Sequence, residues 1–304
     1  MRGPLFWLKA ARAPFFTGSL APIIVGTATA FYEAGTMSWP FAALALLALV
    51  CLHAGANLAN DYYDHLTGND EINLTRAAPF TGGSRFIQDG KAQPWEILAA
   101  SLVSLAFGAA IGVYLVAVTG WPILVLGILG GATGFFYTAP PLKLGYRGVG
   151  EPVIFLDFGL LPVLGAHYLQ TETFSAGAAV AGLCVGLLMT NVLWINQFQD
   201  AEADAAVSKR HWVVRLGRRA SARVHAALFA LAYAAIIAGI VWRVLPPWAA
   251  LGLLSFPLAV RASFASLKHY DDLDRLTPAN AATIGTHFAT SALVALGLVI
   301  AALA

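Results

Sequence analysis

The sequence predicts an all-α protein that crosses a membrane many times. Three observations carry that expectation. Of its 304 residues, 59% are hydrophobic and only 11% are charged, with a mean hydropathy of +0.71; an ordinary soluble domain carries about 25% charged residues. Nine apolar segments follow one another along the chain, each long enough for a helix across a hydrocarbon core of about 30 Å. The basic residues between these segments fall almost wholly on one side.

The segments run roughly 14–33, 39–60, 97–118, 121–138, 150–169, 174–197, 221–242, 248–267 and 279–303. The first follows Arg2, Lys9 and Arg12, and small residues lie around Ala28–Ala30. That loosely fits a signal peptide, but the spans behind it favour a retained first helix. The second ends in NLANDYYDHLTGND, residues 57–70. The third and fourth are separated only by Thr119 and Gly120. The fifth carries an acid, Asp157, inside an apolar run. The sixth ends in NVLWINQFQDAEADAAVSKRHWVVRLG, residues 191–217, and three more apolar segments close the chain. Gly and Pro recur within the segments, as membrane helices tolerate.

The loops support this arrangement. With nine helices, every Lys and Arg except Arg243 lies on the side of the N-terminus. By the positive-inside rule, the N-terminus and the long loops are cytoplasmic and the C-terminus is outside. Loops 2–3 and 6–7 run to roughly 36 and 23 residues, and long loops with structure of their own are usually functional. Each is expected to hold a short helix or turn over a cavity. A net charge of +2, without a basic run, gives no reason to expect nucleic acid. Cys51 and Cys184 both sit in apolar segments and read as inert packing thiols.

Both long loops begin with acids. Asn60 and Asp64 are four apart; Asn196, Asp200 and Asp204 are spaced four and four. The helices that carry them are the second and the sixth. This suggests two four-helix halves, about 13–138 and 150–267, plus a ninth helix, in one domain spanning residues 1–304. Residues at i and i+4 share a helical face, where like charges repel. A divalent cation removes the repulsion. Mg²⁺ is typically held by one or two carboxylates, with waters and substrate phosphates completing its shell. Two acid pairs therefore suit two Mg²⁺ ions on one diphosphate, with the charged head at the helix mouth and an apolar tail in lipid. Acids just beyond a membrane helix are ordinarily solvated loop residues; two matched clusters with cationic neighbours favour a site.

At these residues the chain resembles the UbiA superfamily of intramembrane aromatic prenyltransferases. Asn60-Asp61-Tyr62-Tyr63-Asp64 is similar to the first aspartate-rich motif of that family, and Asn196, Asp200 and Asp204 are similar to the second. Gly68 stands where many members have a third acid, and Asp70 follows. That variant, with FTGGSRFIQDG (80–90) and YTAPPLKLGYRGVGE (137–151), resembles the branch that prenylates 1,4-dihydroxy-2-naphthoate in menaquinone synthesis. The resemblance runs from about residue 13 to 220. It implies nine helices around a central cavity that opens sideways to lipid, in a multi-pass protein of the inner (plasma) membrane.

It also implies the chemistry. A polyprenyl diphosphate would bind through Mg²⁺, lose its diphosphate, and leave an allylic cation for an aromatic acceptor to attack; dihydroxynaphthoate would then lose CO₂. Asp64, Asp200 and Asp204 are the strongest candidates for catalysis and metal binding, with Asp61 and Asp70 as further ligands or their supports. Asn60, Asn196, Lys143, Lys209, Arg85 and Arg147 are candidates for the diphosphate, although topological anchoring explains any one of the cations equally well. Tyr137 is the best candidate for stabilising a carbocation with its ring; most of the other nearby aromatics read as an interfacial belt. Asp157 could orient an acceptor hydroxyl, take a proton, or pair with His167. His53 and His287 are expected to make interhelical hydrogen bonds, and Asn191 could face the cavity. Two alternatives stand beside this reading. One is another prenyl acceptor, 4-hydroxybenzoate or haem. The other is a secondary transporter, although transporters bind at the bilayer midplane rather than at helix ends. Prenyl length and oligomeric state are not legible in the sequence.

Overall fold

The computed structural model describes residues 2–304 and has no strand among the described residues. Nine helical rods follow in chain order: α1 (Ala13–Ala34), α2 (Trp39–Leu66), α3 (Pro94–Thr119), α4 (Trp121–Phe135), α5 (Gly150–Thr171), α6 (Ala176–Ala206), α7 (Arg218–Val241), α8 (Pro247–His269) and α9 (Leu273–Leu303). Eight are long and apolar enough to cross a bilayer; α4, with 15 residues, is shorter. The nine expected spans are therefore eight long helices and one short rod of about 22 Å at 1.5 Å rise per residue. The physical reason lies in YTAPP. Pro140 and Pro141 supply no backbone N–H and disfavour helix in the residue before them.

The second difference concerns the acid-bearing helices. Their apolar runs end near residues 60 and 197, but α2 continues to Leu66 and α6 to Ala206. The acids are thus carried on helix rather than on loop. The connecting loops shrink to residues 67–93 and 207–217, and each holds a short helix, Asn69–Ile72 and Trp212–Leu216.

Helix α6 packs on α1, α5, α7 and α9. Its apolar window is 72% buried, against 17% for α3, so α6 is the interior pillar and α3 an outer wall. The largest core cluster joins Val25, Val163, Leu188, Phe229, Ile236 and Leu298 from α1, α5, α6, α7 and α9. Backbones approach closely where side chains are smallest: Gly159 of α5 lies directly on Gly186 of α6. Close packing of this kind holds membrane helices together where lipid is as apolar as the core. Buried hydroxyls and imidazoles complete the α7–α9 side. His225 lies 2.9 Å from Ser266 Oγ and 3.0 Å from Thr283 Oγ1. Asn191 donates to the His225 carbonyl at 3.0 Å, so it fastens α6 to α7 instead of facing a cavity.

On the other side the packing opens. A cavity of about 560 Å³ lies among α2, α3, α4 and α5. Gly127, Gly130, Gly131 and Gly134 of α4 line it, and their missing side chains leave the space.

Candidate active site

The two acid clusters meet. Lys209 Nζ lies 3.2 Å from Asp204 Oδ1 and 3.5 Å from Asp64 Oδ2. Helices far apart in sequence therefore bring their acids to one ammonium at one end of the bundle. Burial works against the Lys209 charge, but Asp204 and Asp64 outweigh it and hold its pKa well above the usual lysine value.

Each carboxylate has its own set of partners. Asp64 accepts from Asn60 Nδ2 at 2.9 Å and from the Tyr146 hydroxyl at 2.9 Å. Asp204 accepts from Asn69 Nδ2 at 2.8 Å and lies 3.0 Å from His211 Nε2. The Val214 N–H donates to the other His211 nitrogen, so Nε2 carries the proton that points at Asp204. Asp200 accepts from Asn73 Nδ2 at 2.7 Å. The loop after α2 thus reaches across to grip both aspartates of α6.

Asp61 is placed differently. It pairs with Arg12 at the start of α1 and accepts from the Ser84 hydroxyl and N–H. Asp61 and Asp70 both face Gly83, where an added Cβ would stand 2.9 Å from Asp70 Oδ2 and 3.2 Å from Asp61 Oδ1. Gly83 also has φ +70°, so both its backbone and the closeness of the acids require glycine. Burial, then the Asp64 and Asp61 charges, push the Asp70 carboxyl up to about 8. Arg85 donates to the Asp70 carbonyl at 2.6 Å rather than to a carboxylate.

The remaining candidates divide. Lys143 and Lys209 both lie over the Tyr146 ring, at 5.2 and 5.5 Å, so Lys143 stands beside the site with no carboxylate partner among the described residues. Tyr137 is packed under the same loop, against Gly145 and Gly150; burial pushes its hydroxyl well above the usual tyrosine value. Asn196 accepts from Asn280 at 2.8 Å, which ties it to α9. Arg147 is exposed and donates to the Pro141 carbonyl at 3.1 Å, away from the acids. Asp157 and His167 do not pair. His167 lies 2.8 Å from Glu33, and Asp157 lies against Thr133. His53 meets Ser19 across α1 and α2 at 2.9 Å, as expected of it. His287 Nε2 is buried without a partner among the described residues, contrary to expectation; the nearby Ser291 hydroxyl donates instead to the His287 carbonyl.

These distances also pick out residues that the sequence reading passed over. Arg12 counted only as a topological charge. Asn69 sits between Gly68 and Asp70 in the quoted acid-rich stretch but carried no role there, and Asn73 lay in a loop with no motif. His211 and Glu151 were not singled out, although buried Glu151 accepts from Gln197 Nε2 at 3.1 Å and the Trp212 N–H at 3.0 Å. A lone acid at the opening of a membrane helix was the available signal for Glu151.

The same folded arrangement occurs in known proteins. Residues 19–284 match the UbiA prenyltransferase family. The chain belongs to that family. As a UbiA family member it is a prenyltransferase, embedded in a membrane by multiple helices. It is 32% identical to the 1,4-dihydroxy-2-naphthoate octaprenyltransferase of Mycobacterium tuberculosis over 84% of each chain. It is 30% identical to the enzyme of that name from Escherichia coli, over 96% of this chain and 94% of that one. A UbiA homolog from Archaeoglobus fulgidus, solved bound to DMAPP and Mg²⁺, superposes with a TM-score of 0.63 at 16% identity, covering 94% of this chain and 99% of that one. A UbiA homolog from Aeropyrum pernix K1 gives 0.66 at 18% identity, covering 94% and 98%. At such identities the likeness speaks for the UbiA fold alone.

The donor set suits a hard cation. Among the described residues, no three acid, imidazole or thiol groups are already gathered as a metal cluster; Lys209 and the asparagines hold the acids of this UbiA site instead. Yet the Asn69 and Asn73 Oδ1 atoms are buried beside Asp204 and Asp200 with no donor. Two unpaired amide oxygens beside Asp204 and Asp200, with Asp64 reaching the same Lys209 ammonium, make an all-oxygen set of the kind Mg²⁺ takes.

Proposed function

We propose that this protein transfers a polyprenyl group from polyprenyl diphosphate to 1,4-dihydroxy-2-naphthoate, with loss of CO₂, in menaquinone biosynthesis. The reaction is Mg²⁺-dependent. It takes place at the cytoplasmic end of the bundle, with the C-terminus outside. Residues 1–304 form one prenyltransferase domain with halves near 13–138 and 150–267. The observation that carries this reading is the meeting of Asp64 and Asp204 on Lys209, two helical turns along α2 from an apolar cavity. The naphthoate-specific names of the curated relatives support the choice of acceptor.

Asp64, Asp200 and Asp204 would hold the metal, with the amide oxygens of Asn69 and Asn73 completing the protein's share. Bound there, Mg²⁺ supplies positive charge against the charge that builds on a departing diphosphate. The chain's own groups do the rest. Lys209 and Lys143 offer the diphosphate two ammoniums in a half-buried, preorganised setting, where such charges act more strongly than in water. Asn60, Tyr146, Asn69 and His211 fix the carboxylate orientations. Asp61, sealed by Arg12 and Ser84, holds the α2 end against the glycine loop. The prenyl C1–O bond breaks with its electron pair leaving on the diphosphate. The acceptor ring carbon forms the new C–C bond and then releases its carboxylate as CO₂. The apolar walls keep water from the carbocation, and the Tyr146 hydroxyl lies on Asp64 with Tyr137 packed against Gly145 of the same loop.

The test is direct. Purified protein in lipid nanodiscs receives a prenyl diphosphate, Mg²⁺ and either 1,4-dihydroxy-2-naphthoate or 4-hydroxybenzoate. Expected are pyrophosphate release and a prenylated, decarboxylated naphthoate, both abolished by EDTA. Prenylation of 4-hydroxybenzoate alone would overturn the acceptor assignment.

A further inference from the structure

The cavity among α2–α5 carries two ionisable groups, Asp157 and His53; the rest of its lining is apolar or glycine. Neither residue belongs to the acid clusters, and a hydrocarbon tail has no use for either. An ionisable group inside a membrane bundle is costly unless something polar meets it.

Their placement is specific. Asp157 sits in the π-helical stretch Leu156–Leu160 of α5, and single turns of this kind often occur at functional sites. Its two oxygens lie 2.8 and 2.9 Å from one hydroxyl, Thr133 Oγ1. That hydroxyl has a single hydrogen, for which the Leu129 carbonyl at 2.6 Å also competes, so most of the acceptor capacity of the carboxyl group is unused. No cation pairs with it among the described residues. Gly130 and Gly134 face it, and a Cβ on either would stand 3.9–4.0 Å from its oxygens, in ordinary contact, so the two glycines leave room beside the carboxyl. His53 is 6% exposed. Its Nδ1 meets Ser19, its ring packs edge-on to Phe158, the neighbour of Asp157, and Nε2 has no hydrogen-bond partner among the described residues.

Depth decides what these groups can reach. Gly134 stands between Asp157 and Ala56 of α2. Ala56, Asn60 and Asp64 share one face of α2, so Asp157 lies about 12 Å from the level of Asp64 at 1.5 Å rise per residue. A diphosphate-bound carbon with a bicyclic aromatic ring stacked beyond it spans such a distance. An acceptor whose carboxylate-bearing carbon sits by the cationic end would direct its far hydroxyl downward, to this level.

We propose that Asp157, held by Thr133 and assisted by His53, is the hydrogen-bond site for the acceptor's ring hydroxyl remote from its carboxylate. This rests on the reading of the substrate as a hydroxylated naphthoate. The site selects acceptors by a hydroxyl, as small-molecule pockets commonly combine apolar walls with a few placed polar groups.

The experiment compares 1,4-dihydroxy-2-naphthoate with 1-hydroxy-2-naphthoate, which lacks that hydroxyl, as competing ligands of the full protein in nanodiscs. The wild type is expected to prefer the dihydroxy compound by about tenfold or more, since a site built for a hydroxyl rejects the analogue without it. Asp157→Leu is expected to bind both alike while its KM for the prenyl diphosphate is unchanged. Asp157→Asn, which keeps a hydrogen-bonding group, should retain part of the preference; if Asp157→Leu does not accumulate, Asp157→Asn with Thr133→Val carries the comparison. Full preference in these variants, or a rise in KM for the diphosphate alone, overturns the assignment. A wild type that prenylates the dihydroxy compound yet shows no preference also overturns it and leaves the proposed reaction standing. A wild type that acts on neither naphthoate sinks both.

Discussion

The two acid-bearing helix ends carry the same residue types but are held in different ways. On α2, Asp61 is sealed by Arg12 and Ser84, while Asp64 takes Asn60 from its own helix and Tyr146 from the α4–α5 loop. On α6, Asp200 and Asp204 take Asn73 and Asn69 from the loop that follows α2. The loop after α6 returns Lys209 to Asp64. Each end is completed by the loop of the other. The α2 end is the braced partner, and the α6 end depends on it.

The largest effect should come from the acids that face both loops. Asp64→Ala, Asp200→Ala and Asp204→Ala are each expected to lower turnover by at least about 10²-fold, the scale on which single electrostatic contributors to a transition state act. The proteins should still elute as folded species by size exclusion. Near-normal rates in all three would end the account of a shared diphosphate site.

Lys209 ranks next because it serves both ends. In Lys209→Met, two buried carboxylates, Asp64 and Asp204, lose their common cation, and removing one partner of a buried ion pair typically costs about 3–5 kcal/mol. The melting temperature without divalent cation should fall, and added Mg²⁺ should restore much of it. The KM for prenyl diphosphate should rise more than the KM for the acceptor. A melting temperature that falls equally with and without Mg²⁺ would mean that Lys209 serves folding alone.

Much of this was legible in the sequence, for definite reasons. Apolar length fixes membrane helices, and the four-residue spacing of Asn196, Asp200 and Asp204 puts them on one face whether or not their partners are known. What was hidden depended on the return path of the loops. Asn69 and Asn73 meet α6 residues more than a hundred positions away. No local pattern marks such a crossing. Arg12 was hidden for another reason: one arginine at a membrane helix start reads equally well as an anchor. Asp157 stood out as an intramembrane acid, but its neighbour is Thr133 of α4 and not His167, because His167 turns to Glu33 at the opposite end of α5.

The asymmetry between the ends sharpens at Asp61. If this residue braces the α2 end, Asp61→Asn should lower the melting temperature and the yield, and should reduce turnover less than Asp64→Ala does. Arg12 is half-buried against it, so Arg12→Met should give the same pattern, and the double variant should cost less than the sum of the two. Strict additivity in thermal stability would mean that Arg12 and Asp61 do not act as a pair.

The smallest effect is expected at Arg147. Its guanidinium is exposed and held by the Pro141 carbonyl, while the neighbouring Lys143 leans over the ring of Tyr146, whose hydroxyl donates to Asp64. Both residues lie in the same basic loop, so anchoring by charge would treat them alike. Direct action on the diphosphate would not. Arg147→Ala should leave both KM values within about twofold of wild type, as surface substitutions away from special features usually do. Lys143→Ala should raise the KM for prenyl diphosphate several-fold more than that. Equal effects from the two would return Lys143 to a purely topological role and leave Lys209 as the lysine that meets the substrate.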